Sequence, residues 1–265
     1  MSLPHFFLAD QVIAEEADQA FPLALDRDDA KHARVLRLSA GEHLAVVDGA
    51  GYYFECEIVS FDEALPLVKV AQRLDAPREF PKVCLVQGLA KGDKMETVIR
   101  HATELGVSGF IPFAAARSIM KIDARKADAK IARWQAIAKS AAMQSGQTRL
   151  PEVCAPVGLK QLTGALRDFD AVIICWEEAP GTCLISEALA CVKACGADGC
   201  VPRVAVVVGP EGGLTSQEVE ALLAANDHAS LVTLGSSILR TETAGVVGPA
   251  LVLYELGQLG GKVRP

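Results

Sequence analysis

The sequence has 265 residues, of which 51% are hydrophobic and 22% charged, and its formal net charge is −7 at pH 7. This is the composition of a globular protein, and it excludes a disordered, collagen-like or coiled-coil chain. The length allows one large domain or two modest ones. No apolar run approaches the roughly 20 residues that cross a bilayer, and the first residues lack the pattern of a signal peptide. We therefore expect a soluble cytoplasmic protein with no membrane partner.

The cysteines do not follow the pattern of a metal site or a disulfide framework. Four of the eight crowd into residues 183–200, and they are Cys183, Cys191, Cys195 and Cys200. Zinc sites usually bring closely paired cysteines or nearby histidines, and this stretch has neither. A chain of this length does not need disulfide bonds for stability. We expect free thiols and no metal.

The charge is unevenly distributed. Residues 10–29 carry seven acidic side chains against one basic one, whereas residues 117–133 carry six basic side chains against two acidic ones. Two shorter basic groups are Lys31, Arg34 and Arg37, and Lys91, Lys94 and Arg100. One such group alone is typical of a solvated helix face. Three together favour a surface that binds phosphates, despite the acidic total.

Residues 1–75 have the pattern of a small β-rich domain. Apolar side chains alternate along residues 52–58, the period of a half-buried strand, and a glycine-rich turn joins this segment to an earlier strand at 42–48. A short basic helix is predicted over residues 28–38, with Asp28 as its cap.

The rest of the chain, residues 76–265, is predicted to form a second domain after a linker at Pro77 and Pro81. Short apolar runs alternate there with helical patterns, which is typical of βα units on a parallel sheet. The predicted strands are 83–87, 110–113, 171–175, 204–208 and 231–234.

Four helices are predicted in this second domain. The first follows Asp93 and Glu96, which resemble a capping box, and ends at Gly106. The other three are an alanine-rich helix over residues 124–145, a helix capped by Thr215 and Glu218, and a last helix from about Thr243 to Leu256.

The clearest candidate site lies where two predicted strands end. Residues 209–213 read Gly-Pro-Glu-Gly-Gly after one strand, and residues 234–244 form a polar loop before an apolar helix. Open α/β sheets bind ligands at the carboxyl ends of their strands. No dinucleotide fingerprint or P-loop lysine is present, and Glu211 would repel a phosphate. Each loop alone could be a plain turn or a helix cap. Together they predict two walls of a pocket for a neutral or cationic ligand.

These loops also carry a family resemblance. GPEGGLTSQEVEAL followed by LGSSILRTETA closely resembles the signature of the RsmE-type 16S ribosomal RNA uracil-N3-methyltransferases, a branch of the SPOUT superfamily. HARVLRLSAGE with VDGAGYYFECEI is similar to the family's PUA-like domain, and KGDKMETVIRHATELGV, IPFAAARS and MQSGQTRLPEV recur in the family's order. This chain departs from the usual pattern at His101, where the family has lysine, and at Met143, where it has glutamate.

The resemblance implies a SPOUT-type knotted α/β methyltransferase domain with a parallel sheet, preceded by a small PUA-like β-barrel domain that binds RNA. It implies S-adenosylmethionine as cofactor, 16S ribosomal RNA of the small subunit as substrate, and a homodimer. General rules of chain topology argue against a knot, so that expectation depends on the resemblance alone.

The resemblance further implies the cofactor-binding residues, while basic charge suggests the RNA-binding residues and the chemistry of the reaction suggests the catalytic ones. The expected cofactor-binding residues are Cys175, Trp176, Glu177, Gly209, Pro210, Glu211, Gly212, Gly213, Leu234, Gly235, Ser237, Ile238 and Leu239. Those expected to bind RNA are Arg34, Arg37, Lys91, Lys94, Arg117 and Arg149. The expected catalytic residues are Arg240, Glu242 and Thr243.

In this hypothesis Arg240 stabilises the uracil anion, because a guanidinium can face two acceptors and stays charged. Glu242 either accepts the N3 proton or positions Arg240. Thr241 and Thr243 orient the loop.

Three other functions stay open at this point. One is methylation of the ribose 2′-hydroxyl, which other knotted methyltransferases perform. The second is RNA binding without catalysis, and the third is a nucleotide-dependent oxidoreductase, which the missing dinucleotide fingerprint disfavours.

Overall fold

The computed structural model describes residues 3–13, 19–62, 65–74, 81–122, 124–178, 181–195 and 201–260. The chain divides into two compact units, one of residues 1–78 with 142–150 and one of residues 79–141 with 151–265. The boundary drawn from the sequence falls between residues 75 and 76, and Pro77 of the expected linker lies outside the described residues.

The first unit is built on a five-stranded sheet. Its elements are β1 (His5–Phe7), β2 (Phe21–Pro22), α1 (Arg27–Val35), β3 (His43–Val47), β4 (Tyr53–Asp62) and β5 (Leu65–Leu74). The strand order is β1-β3-β4-β5-β2. The pair β1 and β3 is parallel, and the other neighbours are antiparallel.

The alternation predicted for β4 is confirmed from Phe54 to Ile58, whereas Tyr52 precedes the strand and is exposed. Phe54, Cys56 and Ile58 are fully buried, and they pack in the core of this unit together with Phe6 and Leu44. The apolar face of β4 therefore joins the strand to the rest of its unit.

The cap predicted for α1 was wrong. Asp26, and not Asp28, is the N-cap, because its carboxylate accepts hydrogen bonds from the N–H groups of Asp28 and Asp29. Asp28 is thus a first-turn residue. The helix also ends at Val35, and Arg37 beyond it has a φ of 54°, a left-handed conformation that ends regular structure.

The second unit alternates strands and helices. Its elements are β6 (Lys82–Gly88), α2 (Lys94–Leu105), β7 (Gly109–Phe113), α3 (Ala124–Ser145), β8 (Glu152–Val153), α4 (Leu159–Ala165), β9 (Ala171–Cys175), α5 (Ile185–Ala188), α6 (Ala190–Cys195), β10 (Arg203–Val208), α7 (Ser216–Leu223), β11 (Ala229–Val232) and α8 (Thr241–Glu255). The last turn of α3 belongs to the first unit.

The six strands of this unit form one sheet of order β11-β9-β10-β6-β7-β8, and every neighbouring pair is parallel. The predicted parallel sheet is confirmed. The prediction for the last strand was two residues off, because pairing with β9 sets its ends: Ala229 pairs with Val172 and Val232 with Cys175.

The sheet is covered on both faces, as its nearly continuous apolar strands predict. Alternate residues of β10 point to opposite sides, so that Val204 and Val206 lie in one core and Ala205 and Val207 in the other. Helices α2 and α8 pack on the first of these faces. None of the helices in the described ranges is both long and apolar enough to span a membrane.

The start of α2 differs from the prediction. Asp93 is the N-cap but makes no side-chain capping bond, and Glu96 accepts a hydrogen bond from Arg133 Nη2 at 2.8 Å. The predicted capping box was wrong because an ion pair with a distant helix takes its glutamate. The predicted C-terminus is confirmed, since Gly106 adopts a φ of 103°.

The capping box of α7 is confirmed. The Thr215 hydroxyl accepts a hydrogen bond from the N–H of Glu218, and the Glu218 carboxylate accepts one from the N–H of Thr215. The last helix, α8, begins at Thr241 with Arg240 as its N-cap residue, two residues before the predicted start.

Candidate functional site

A cleft of about 330 Å³ opens at the carboxyl ends of β9, β10 and β11. These strands are neighbours and parallel, so the loops that follow them meet at one edge of the sheet. Pockets for small molecules are commonly about 300–1,000 Å³ in volume. The cleft is therefore large enough for a ligand of cofactor size.

Residues of both loops singled out in the sequence line this cleft. Every residue expected to bind the cofactor lines it except Gly212. Among the expected catalytic residues, Arg240 lines the cleft, whereas Glu242 and Thr243 do not. Thr243 is exposed on α8, and Glu242 is linked to the cleft through its ion pair with Lys94, which does line it.

Glycines set the path of the loop after β10. A Cβ atom on Gly88, at the end of β6, would lie 2.3 Å from the backbone nitrogen of Pro210. Gly213 has a φ of +70°, and a Cβ there would lie 2.8 Å from the Glu177 Oε1 atom. The backbone around Pro210 leaves no room for a Cβ at Gly88. At Gly213 the positive φ favours glycine, whereas the Glu177 carboxylate next to it is the end of a flexible side chain. The glycine-rich sequence thus allows strand ends and loop to approach closely.

Arg117 supports the same loop. Its Nη1 donates hydrogen bonds to the carbonyl oxygens of Gly212 at 3.1 Å and Leu214 at 3.4 Å. A Cβ on Gly212 would lie 2.9 Å from the Arg117 Cβ, so Gly212 faces the arginine and does not line the cleft. An arginine expected to bind RNA thus makes direct contacts with the backbone of the loop.

A buried hydrogen-bond chain joins Thr241 and Gly209, two residues that line the cleft. Gln87 Nε2 donates to the Thr241 hydroxyl at 2.9 Å, and this hydroxyl donates to the Gly209 carbonyl at 2.6 Å. Gln87 is only 1% exposed. Gln87 was not among the residues predicted for the site, although a single polar residue at the end of an otherwise apolar buried strand is a signal that could have identified it.

Charged groups meet at the mouth of the cleft. Lys94 Nζ lies 3.2 Å from Glu211 Oε1 and 3.2 Å from Glu242 Oε2. The contacts with Glu242 and Glu211 raise the pKa of Lys94. The backbone N–H of Glu242 lowers the pKa of its own carboxyl most, burial acts in the opposite direction, and Lys94 adds to the lowering.

The pKa of Glu211 is also below its ordinary value. Burial acts to raise this pKa, but the backbone N–H of Lys91 and the ammonium of Lys94 lower it by more. Both carboxylates at the mouth of the cleft are therefore held in the ionised form.

Two side chains at the end of β9 contribute differently. Burial raises the pKa of the Cys175 thiol to about 12, so this cysteine is neutral near pH 7. Trp176 Nε1 is buried and has no hydrogen-bond acceptor among the residues that the structure describes. The end of β9 therefore brings to the cleft lining an inert thiol and an indole whose N–H has no acceptor among the described residues.

The remaining residues expected to bind RNA lie in both units. Arg34, Arg37 and Arg149 are exposed in the first unit, and Lys91 is exposed in the second. Only Lys94, of the six, lines the cleft.

Over the described parts of the chain, no group of three or more His, Cys, Asp or Glu side chains is placed to hold a metal ion. Cys183 and Cys191 donate to the carbonyl oxygens of Leu231 and Asp170 respectively. The side chain of Cys195, and all of Cys200, lie outside the described residues.

Comparisons with known proteins match this arrangement. A model of the RNA methyltransferase domain matches residues 78–253, and a model of the RNA methyltransferase PUA domain matches residues 25–65. The ribosomal RNA small subunit methyltransferase E of Bacillus subtilis is 34% identical over 95% of this chain and 97% of its own length. This chain belongs to the ribosomal RNA small subunit methyltransferase E family. A second member of the methyltransferase E family, from Mycobacterium tuberculosis, is 33% identical over 84% of this chain and 82% of its own.

Solved structures of methyltransferases have the same fold. The enzyme from Neisseria gonorrhoeae, crystallised with S-adenosylmethionine, superimposes with a TM-score of 0.76 at 25% identity, covering 95% of this chain and 97% of that one. A putative methyltransferase from Legionella pneumophila, in complex with the same cofactor, gives a TM-score of 0.73 at 26% identity over 96% and 98%.

Proposed function

We propose that this protein transfers a methyl group from S-adenosylmethionine to N3 of a uridine in the 16S ribosomal RNA of the small subunit. The observation that carries the proposal is that loops 209–213 and 234–239, which hold the family signature, line a single cleft. The named activity of the Bacillus subtilis relative, and the cofactor in the Neisseria gonorrhoeae structure, support it.

The residues of the cleft fit this cofactor. The buried Nε1 of Trp176, which has no acceptor among the residues described, could donate a hydrogen bond to an acceptor on the purine or ribose. The glycine path around Gly213 brings backbone close to the cleft, and the carboxylates of Glu177 and Glu211 line it, which suits a sulfonium cation. When bound there, S-adenosylmethionine supplies the methyl group. We assign its binding to Cys175, Trp176, Glu177, Gly209, Pro210, Glu211, Gly213, Leu234, Gly235, Ser237, Ile238 and Leu239.

The protein contributes to the reaction by aligning the methyl donor with the uracil and by stabilising the charge that develops on the uracil. Uracil N3 is a poor nucleophile while it holds its proton, so the anion formed on proton loss has to be stabilised. Arg240 is exposed to the cleft at the start of α8, where its guanidinium can face the uracil carbonyl oxygens.

Glu242 is the weaker of the two candidates for a chemical role. Its pKa is lowered by its own N–H and by Lys94, which makes the carboxylate a poor acceptor for the N3 proton. Of its two possible roles, we therefore favour the positioning of Arg240, whose charge also acts on it. Thr241 orients the loop through its hydrogen bond to the Gly209 carbonyl. We assign the same orienting role to Thr243, in the first turn of α8.

The finer architecture is part of the proposal. We propose a C-terminal trefoil knot, supported by the return of the chain from β11 at the sheet edge to α8, which packs on β10 and β6. We propose that the first sheet closes into a PUA-like barrel, supported by two irregularities in the pairing of β4 with β5, which bend strands. A homodimer is supported by Leu251 and Tyr254, exposed apolar residues of α8.

RNA capture is proposed for the exposed basic residues Arg34, Arg37, Arg149 and Lys91, with residues 1–75 as the RNA-binding domain and 76–265 as the methyltransferase domain. N3 lies on the pairing edge of uracil, so the target nucleotide has to leave its stack before the reaction. A ribosomal substrate also implies a cytoplasmic location.

A transfer assay tests the proposed function. The purified protein is incubated with labelled S-adenosylmethionine and small ribosomal subunits from a strain that lacks it. The modified nucleotide is then identified by nuclease digestion and mass spectrometry. We expect one N3-methyluridine in the 16S RNA. A 2′-O-methyl group would support ribose methylation, and the absence of label would support RNA binding without catalysis.

A further inference from the structure

Lys94 connects three separate parts of the second unit. It is the first residue of α2, and its ammonium contacts Glu211 in the loop after β10 and Glu242 in the first turn of α8. Both contacts are 3.2 Å long. We call Lys94, Glu211 and Glu242 the Lys94 cluster. The cluster therefore connects the start of α2, the loop after β10 and the first turn of α8.

The cluster is more than an accidental surface ion pair. The backbone N–H of Lys91 also donates to Glu211 Oε1, at 2.9 Å. This carboxylate therefore has a backbone partner as well as the Lys94 ammonium. The side chains of Lys94, Glu211 and Glu242 are 26%, 23% and 26% exposed, respectively. Ion pairs at this depth are screened by solvent less than those on an open surface.

The charges explain why the lysine matters to the loop. Glu211 and Glu242 lie close together because both contact the same nitrogen. Without an ammonium between them, two carboxylates held in the ionised form would repel each other. This repulsion would act between the loop that carries Gly209 and Gly213 and the helix that begins after Arg240.

The same charges argue against a phosphate partner for Lys94. With two carboxylates around one ammonium, the Lys94 cluster carries a net negative charge, which repels a phosphate. Lys94 was expected to bind RNA from its place in a basic segment of the sequence. In the structure, the Lys94 ammonium instead contacts two carboxylates of the protein, those of Glu211 and Glu242.

The geometry points to Lys94 as a positioning residue of the cofactor cleft, which holds the loop 209–213 against the start of α8 and makes no contact with RNA. This inference rests on the proposed function. It adds a residue to the site that acts through its neighbours rather than through the reacting atoms.

Cofactor affinity is the first test. Calorimetric titration with S-adenosylmethionine alone compares wild type, Lys94→Met, Lys94→Arg and Arg100→Met. We expect Lys94→Met to bind about tenfold more weakly, because the two carboxylates lose their shared partner. Lys94→Arg keeps the charge and retains most of the affinity. Arg100→Met removes the same charge from an exposed position of α2 and leaves the affinity unchanged.

RNA affinity is the second test, and it separates the two roles of Lys94. Binding to unmodified small ribosomal subunits is measured at several salt concentrations. A lost phosphate contact lowers the slope of log K against log salt by about 1, whereas we expect Lys94→Met to keep the wild-type slope. A reduced slope together with normal cofactor affinity would overturn the inference.

Charge removal gives a third test that does not depend on the stability of one variant. In a Glu211→Gln, Glu242→Gln background there is no repulsion to relieve, so the further change Lys94→Met should cost little affinity. If Lys94→Met lowers the cofactor affinity equally in both backgrounds, Lys94 does not act by separating the two carboxylates, and the inference is wrong. If wild-type protein itself binds no S-adenosylmethionine, the proposed function fails and the inference with it. If wild type and Lys94→Met bind equally well, only the inference fails.

Discussion

Arg240 lies at the point where loop 234–239 enters α8, and its exposed guanidinium is available to a substrate at the cleft. If it stabilises charge that develops in the transition state, Arg240→Ala should lower kcat about a hundredfold. Single-turnover kinetics with saturating small subunits measure this effect. Arg240→Lys keeps the positive charge but lacks the two-pronged guanidinium, so its kcat should lie between those of wild type and Arg240→Ala. A normal kcat with weaker RNA binding would remove Arg240 from the chemistry.

His5 makes the stability of the first unit depend on pH. Burial lowers the pKa of His5 from 6.5 to about 4, and its Nε2 has no hydrogen-bond partner among the described residues. The unfolded chain takes up the proton near pH 6.5, whereas the folded chain resists it until about pH 4. His5 therefore contributes stability above pH 6.5 that is lost as the pH falls towards 4.

Urea unfolding of wild type and His5→Leu at pH 7 and pH 5 measures this contribution. His5 should account for about 2 kcal/mol of the stability that wild type loses between these pH values, and His5→Leu should lack that part of the loss. His101→Gln, a change at an exposed histidine, serves as the control. An identical pH dependence in wild type and His5→Leu would contradict the buried, neutral His5.

At the scale of the element, α8 depends on how closely it approaches β6 and α2. A Cβ on Gly245 would lie 2.4 Å from Gln87 Oε1 and 3.0 Å from Val98 Cγ1. Gly245→Ala should therefore destabilise the protein by about 1–3 kcal/mol. Gly164→Ala in α4, where the structure leaves open space, should stabilise it by up to about 1 kcal/mol. Thermal unfolding compares the two, and equal effects would contradict the close approach of α8.

Sequence patterns were sufficient where a local rule decides the structure. The apolar runs of β6, β9 and β10 predicted buried parallel strands, and the pair Thr215 and Glu218 predicted the start of α7. The glycines of 209–213 predicted a close turn at a strand end. In each case the cause lies within a few residues of the effect.

The cap of α1 was wrong for a local reason, since Asp26 takes the place expected of Asp28, but other patterns failed because a distant partner decides the structure. Pairing with β9 moved the last strand by two residues, and Arg133 removed Glu96 from its capping role. The part that Gln87 takes in the site depends on a hydroxyl 154 residues away. Neither the period of a helix nor that of a strand encodes such contacts, so spacing alone could not predict them.

At the scale of the whole molecule, an acidic protein is proposed to bind an acidic polymer. With a net charge of −7, affinity has to come from local basic groups. If Arg34, Arg37, Lys91 and Arg149 each contact a phosphate, log K should fall with log salt at a slope of about −3. Filter binding of small subunits from 50 to 200 mM salt tests this. A flat dependence would refute phosphate contacts as the source of affinity.

The central claim is that loops 209–213 and 234–239 enclose one methyl-donor site. A crystal structure of the protein grown with S-adenosylmethionine tests it most directly. We expect electron density for S-adenosylmethionine between these two loops, with Trp176 Nε1 donating a hydrogen bond to it. Donor bound elsewhere on the protein, or the two loops separated around an empty cleft, would contradict it.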